Sequence, residues 1–171
     1  MCGIAGLVYF GKHGIPAQEL RSVIKNMTVG LSHRGPDDLD IWCEDALSIA
    51  LGHTRLAILD RSKAGAQPME SSSGRYRLVF NGEIYNHGAL RKQLEQEFGS
   101  IVWKGHSDTE TLLAAIELWG LFNALVKAHG MFALALVDVV DRKVSLARDR
   151  FGEKPLYYFS NSEKLVFGSE I

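Results

Sequence analysis

Cysteine occupies residue 2, directly behind the initiator methionine, in the run MCGIAGLVYF. Beside an apolar stretch a free Cys often packs as a small hydrophobe. A second reading follows from processing. A Met followed by a side chain as small as Cys is a usual substrate for methionine removal, which leaves Cys2 with a free α-amino group. Thiol and amine on one residue then form a nucleophile that carries its own base. An α-amino group ordinarily titrates at about 7.7–8.0 and a thiol at about 8.5, so the amine takes the thiol proton near neutrality with little penalty.

If such a sulfur is to hydrolyse a carboxamide, three further demands arise, and each has a candidate. The tetrahedral intermediate carries negative charge on oxygen and needs preorganised donors. Asn81 offers a side-chain NH₂ and Gly82 a backbone N–H in FNGEIYNH; the same Asn-Gly pair is equally a hairpin-turn signal. A free amino acid substrate needs a cation for its α-carboxylate. Arg55 in HTRLAILD fits through its forked guanidinium, although a surface arginine at a strand end reads the same. The α-ammonium needs an anion. Asp108 stands at a helix start, where Asp also serves as a cap, and Glu83 is either a second carboxylate of the site or an exposed hairpin residue. In HRGPDD the Asp pair beside a Gly-Pro turn reads as loop chemistry rather than a metal site.

The elements that must position these groups follow from periodicity. Residues 3–10 form a short apolar run and read as a strand. Leu20, Val23, Ile24, Met27 and Leu31 recur at the helical period, predicting an amphipathic helix over AQELRSVIKNMTVGL. IWCED and LSIALGHTRLAILD read as strands, and RLVFNGEIY as a hairpin about Asn81-Gly82. HGALRKQLEQEF is a helix, IVW a short strand, and SDTETLLAAIELWG a helix opened by the capping box Ser107/Glu110. MFALALVDVV, KVSLARD, PLYYFS and KLVFGSE make the last third β-rich. The polar stretch RSKAGAQPMESSSG is a long loop of the kind that carries function. Many strands and about three helices in this order predict an α+β domain, with antiparallel sheets sandwiched between helical layers.

Composition narrows the rest. The 171 residues suit a single domain, 46% hydrophobic and 23% charged, with a net charge of −1. Mean hydropathy is −0.02 and the sequence pI is about 6.6, which gives no electrostatic reason to expect nucleic acid or an anionic membrane as partner. No apolar run approaches the roughly 20 residues that span a bilayer. With two cysteines, Cys2 and Cys43, there is no disulfide framework, and a reducing, cytoplasmic setting is expected. The six histidines share no zinc-ligand spacing with the cysteines and read as surface or hydrogen-bonded structural residues.

Taken together, MCGIAG, HRGPD, HTRLAILD, GAQPM, FNGEIYNH, SDTE, GMFALALVD, ARDRFGEKPLYY and FGSEI run the whole length of the chain in order. In these the sequence resembles the glutaminase domain of class II glutamine amidotransferases, in the form found in glutamine-dependent asparagine synthetases. The resemblance implies an N-terminal-nucleophile hydrolase fold, a four-layer αββα sandwich of two stacked, mainly antiparallel sheets over residues 1–171. It implies Cys2 as nucleophile once Met1 is removed, and Asn81 and Gly82 as oxyanion hole. It also implies Arg55 on the substrate carboxylate with Leu56, Ala57, Ile58 and Leu59 shaping that wall, and Glu83 and Asp108 on the α-ammonium. L-Glutamine would be hydrolysed to glutamate and ammonia through a γ-glutamyl thioester, with no cofactor and no metal in this domain.

The family passes the ammonia to a C-terminal synthetase domain that uses ATP and Mg. No Ser-Gly-Gly nucleotide loop occurs before Ile171, so that domain is expected either further along a longer protein or on a separate partner chain. A homodimer is compatible with the sequence. The alternative function is a free-standing or non-catalytic glutamine-binding module serving a partner amidotransferase of polysaccharide biosynthesis. A third, an acylase or peptide-cleaving hydrolase of the same nucleophile class, fits Arg55 poorly. Arg148, Asp149 and Arg150 read as structural salt links or as contacts to the absent domain.

Overall fold

Strand β6, Gly130–Asp138, is apolar on both sides, and that pattern dictates the layering. Phe132, Leu134 and Leu136 point to one face while Ala133, Ala135 and Val137 point to the other. A strand buried on both faces needs a layer above and below it. In the computed structural model, which describes residues 1–11, 14–57 and 62–171, those layers are helices on one side and a second sheet on the other.

The first sheet holds β1 (Gly3–Tyr9), β2 (Asp38–Glu44), β3 (Ile49–Arg55), β8 (Tyr157–Ser160) and β9 (Lys164–Gly168) in the order β2-β3-β1-β9-β8. The second holds β4 (Met69–Glu70), β5 (Tyr76–Ile84), β6 and β7 (Lys143–Arg148) in the order β4-β5-β6-β7. All strand pairs are antiparallel. Helix α1 (Ala17–Gly30) covers the outside of the first sheet through Leu20 and Ile24. Helices α2 (His87–Phe98), α3 (Asp108–Trp119) and α4 (Leu121–Lys127) cover the second. The order α1, sheet, sheet, α2–α4 is the expected αββα sandwich. Ile4, Val8, Leu51, Val79 and Phe167 fill the space between the sheets.

Three local expectations differ. Residues 76–84 are one unbroken strand, with no turn at Asn81-Gly82. Asn81 pairs with Ala133 and Gly82 with Phe132 along β6, and neither residue takes the positive φ that a hairpin turn of this kind requires. The segment IVW, residues 101–103, is irregular, and Val102 is 87% exposed. Helix α4 was not anticipated; Gly120, at φ 80°, ends α3 and redirects the chain into it. No helix among the described residues is long and apolar enough to cross a membrane.

His53 ties the two sheets together. It is 1% exposed on β3 and hydrogen-bonded to the backbone of Phe80 on β5, with Nε2 unpartnered among the described residues. Burial lowers its pKa from 6.5 to about 4. The unfolded chain therefore binds a proton that the native state refuses, and stability falls as pH drops from about 6.5 toward 4. At pH 5 this one group costs about 2 kcal/mol. Urea unfolding at pH 7.5 and pH 5 is expected to reveal a larger acid loss in the wild type than in His53→Gln; equal losses would mean that His53 titrates normally.

Candidate active site

The chain is pinned from the Cys2 carbonyl onward. Gly3 opens β1 opposite Thr54, and Ile4 exchanges two bonds with Ser169 just past β9: its N–H donates to Ser169 Oγ (3.0 Å) and its carbonyl accepts from Ser169 N–H (2.9 Å). Arg34 Nε donates to the Cys2 carbonyl at 3.2 Å, and its Nη1 meets Glu170 at 2.8 Å. The HRGPDD turn is thus a loop, as read, but one that braces the site. Gly35 lies so close to the β3 backbone that a Cβ there would come within 2.5 Å of Arg55 N. Asp37 N–H donates to the Arg55 carbonyl (3.0 Å), and Asp37 Oδ2 accepts from Ala57 N–H (2.8 Å). The charge alternation about Gly35-Pro36 was the sequence signal for this role; no role had been assigned to it.

The half-buried Cys2 thiol faces the start of the Leu56-Ala57 wall. Its Sγ accepts from Leu56 N–H at 3.4 Å and lies 3.9 Å from the Leu56 carbonyl. A cavity of about 130 Å³ opens at this end of the two sheets. Cys2, Arg55, Leu56 and Ala57 line one side, and Asn81, Gly82, Glu83 and Asp108 line the other. Ile58 and Leu59 lie outside the described residues. Residues as far apart in sequence as Cys2 and Asp108 therefore share one pocket, because β1 and β5 meet across the sandwich and α3 starts beside β5.

The unbroken course of β5 explains how Asn81 and Gly82 come to line the cavity. Antiparallel backbone N–H groups alternate between the two edges of a strand. Tyr85 donates to His129 on the β6 side, at 2.8 Å. Phe80 and Ile84 point the opposite way and donate to side chains, Gln67 Oε1 (2.7 Å) and Asp108 Oδ2 (2.8 Å). Gly82 N–H, between them on the same edge, points into the cavity. A Cβ at Gly82 would lie 2.3 Å from the Met131 carbonyl, so only glycine lets β5 and β6 close up here. Asn81 is 1% exposed, and its Nδ2 finds no partner among the described residues. A buried, unsatisfied donor lining a cavity is an anomaly that a ligand oxygen would repair.

Charge is arranged around this pair. Arg55 is 8% exposed and donates through Nη1 to the Ser62 carbonyl at 2.9 Å. Asp108 is the first residue of α3, one position after the cap Ser107, and its carboxylate is held by backbone on two sides. Its Oδ1 accepts from Thr109 N–H (2.9 Å), its Oδ2 from Ile84 N–H, and it still lines the cavity. Burial raises its pKa, partly offset by those backbone bonds and by His87, so a cation in the cavity would stabilise the charged form. Ser107 caps α3 by accepting from Glu110 N–H at 3.1 Å. The reciprocal half of the capping box is absent, because Glu110 bonds Lys104 N, Gly105 N and Arg91 instead.

Two polar side chains of the pocket, Gln67 and Lys154, stand outside the site residues expected from the sequence. Gln67 is buried in the GAQPM loop, and its amide spans Phe80 N–H and Thr109 Oγ1. Lys154 is 6% exposed and donates from Nζ to the Met1 sulfur at 2.8 Å. Arg148, Asp149 and Arg150 form no salt links among the described residues; all three hydrogen-bond to backbone groups.

Comparison with known proteins agrees with this geometry. Residues 1–171 match the family model of the glutamine amidotransferase domain. Putative asparagine synthetase (glutamine-hydrolyzing) 2 of Methanocaldococcus jannaschii is 36% identical over 189 residues, covering 100% of this chain and 34% of the relative. Asparagine synthetase (glutamine-hydrolyzing) 3 of Bacillus subtilis is 37% identical, covering 100% of this chain and 27% of the relative. Amidase chry2 of Gibberella zeae is 34% identical, covering 100% of this chain and 26% of the relative. The chain thus spans about a quarter to a third of the length of these curated relatives. The solved glutamine phosphoribosylpyrophosphate amidotransferase from B. subtilis, complexed with ADP and GMP, shares the fold with a TM-score of 0.73 at 20% identity, over 98% of this chain and 42% of that one. With the family model matched from residue 1 to residue 171 and relatives 34–37% identical over the whole chain, the chain belongs to the class II glutamine amidotransferase family.

Proposed function

We propose that this domain hydrolyses L-glutamine to glutamate and ammonia at Cys2, after removal of Met1. The unpartnered Nδ2 of buried Asn81, lining the same cavity as the thiol, is the observation that carries the reading. The α-amine takes the Sγ proton, and the sulfur attacks the side-chain carboxamide carbon. The carbonyl electron pair moves onto oxygen, facing Asn81 Nδ2 and Gly82 N–H. On collapse the pair returns, the C–N bond breaks, and the ammonium of Cys2 gives its proton to the departing nitrogen. Ammonia leaves and a γ-glutamyl thioester remains. The same amine deprotonates a water that attacks the thioester; the C–S bond breaks, the sulfur recovers a proton, and glutamate departs. Arg55 holds the α-carboxylate, while Glu83 and Asp108 take the α-ammonium.

The ammonia, in this reading, feeds an ATP-dependent amidation of the asparagine-synthetase type, on the strength of the two relatives so named. ATP and Mg act in that synthetase portion and in no step on the residues described above. The compartment is cytoplasmic, in keeping with two unpaired cysteines.

Glutamate release from the processed protein is expected to vanish in Cys2→Ala and to fall about 10²–10³-fold in kcat for Asn81→Ala. Wild-type rates in both would remove the mechanism. Arg55→Ala is expected to raise KM for glutamine at least about 30-fold with a smaller change in kcat, as loss of a buried charge partner does. An unchanged KM would place the carboxylate elsewhere.

A further inference from the structure

Lys154 is an unusual lysine. It is 6% exposed, and its ammonium meets no carboxylate among the described residues; its partner is the thioether of Met1, an uncharged and weak acceptor. A buried cation without a countercharge in contact is unfavourable unless the site uses it. Nor is it a wandering side chain. Asp149 accepts four backbone N–H groups, from Phe132, Phe151, Glu153 and Lys154, at 3.0–3.1 Å. Arg148 Nε donates to the Lys154 carbonyl. The RDRFGEK segment is therefore a wound loop whose effect is to deliver one ammonium into the catalytic cavity.

Lys154 lines the same cavity as Cys2, and connectivity keeps its ammonium within a short side chain of the terminus. Nζ contacts Met1 Sδ, and Sδ is five covalent bonds from the Cys2 nitrogen, the atom that becomes the terminal amine when Met1 leaves. Among the described residues, the other charged groups that line this cavity or brace Cys2 have partners or proposed tasks of their own. Arg34, from the turn after α1, holds the Cys2 carbonyl and pairs with Glu170, which also meets His33. Arg55 from β3 answers the substrate carboxylate, and Glu83 from β5 and Asp108 from α3 answer its ammonium. Bound zwitterion adds no net charge, so Lys154 keeps its influence in the loaded site.

We propose that Lys154 is a positioning residue for the general base: a fixed neighbouring cation that keeps the Cys2 α-amine unprotonated, and so basic, below pH 8. The inference rests on the proposed hydrolysis at Cys2. A protonated amine cannot accept the thiol proton, and two carboxylates in the cavity would otherwise favour the protonated form. A nearby ammonium acts in the opposite sense, by like-charge repulsion in a poorly hydrated site.

The test uses the Met1-processed protein and the variants Lys154→Met and Lys154→Arg. In Lys154→Met the acidic limb of kcat/KM for glutamine is expected to move up by about one pH unit, a roughly tenfold deficit at pH 6.5 that closes by pH 9. Lys154→Arg should retain the wild-type limb. Cyanate reacts with the neutral amine, so carbamylation of residue 2 followed by mass spectrometry across pH should report the same displacement without any turnover. An unmoved limb in Lys154→Met overturns the proposal, as does a pH-independent rise in KM, which would make Lys154 a substrate ligand. If Lys154→Met fails to fold, a displaced limb in a folded Lys154→Arg overturns it instead. Absence of turnover in the wild type would defeat the hydrolysis reading, whereas carbamylation would still decide the role of Lys154.

Discussion

A nucleophile at the end of a chain is useful only if the end does not fray, and termini fray by default. Everything in this fold that concerns Cys2 answers that constraint. β1 is the central strand of its sheet, hydrogen-bonded to β3 on one side and β9 on the other from its first residues. Arg34 holds the carbonyl of Cys2 itself, and Ser169 holds both backbone groups of Ile4. The last strand described, β9, thus helps to fix the first, together with β3 and Arg34. The entropy lost in fixing a terminal residue is met by sheet formation that the fold requires anyway.

The second strand of the site works through an opposite device, an edge left partly unpaired. β4 covers only the start of β5, and the N–H groups beyond it turn toward side chains and the cavity. Gln67 and Asp108 fill two of those positions and Gly82 remains between them. The N–H that opens on the cavity and the N–H groups that complete the fold are interleaved along one edge at two-residue spacing, so the direction of Gly82 N–H is set by the strand.

Legibility of these features in the sequence varied with their range. Cys2, Arg55, Asn81, Gly82, Glu83 and Asp108 were readable as candidates because each supplies a chemical group that amide hydrolysis needs, and the fold brings all six to one cavity; the layers were readable from apolar periodicity. Asn81-Gly82 was misread as a turn because local propensity favours one; the apolar ladder of β6 along the whole segment overrides it. IVW has strand-forming residues but no strand beside it. Gln67 and Lys154 were invisible because their importance lies entirely in what the fold brings near them: a strand edge in one case and the chain terminus in the other. Arg34 and Asp37 were visible as a charged turn, but their partners, the Cys2 carbonyl and the Ala57 N–H, could not be named without the tertiary structure.

The side chains of Gln67 and Asp108 on the rim of β5 have an effect unrelated to turnover. A bare strand edge is a template on which another polypeptide can lay down a ladder, the usual route to β-type aggregation. Here two of three successive outward N–H groups are already bonded within the molecule, and the third is recessed in a cavity rather than presented to a flat neighbour. An incoming strand would find no run of donors to copy, so the same substitutions that open the pocket's rim would also expose a surface prone to self-association.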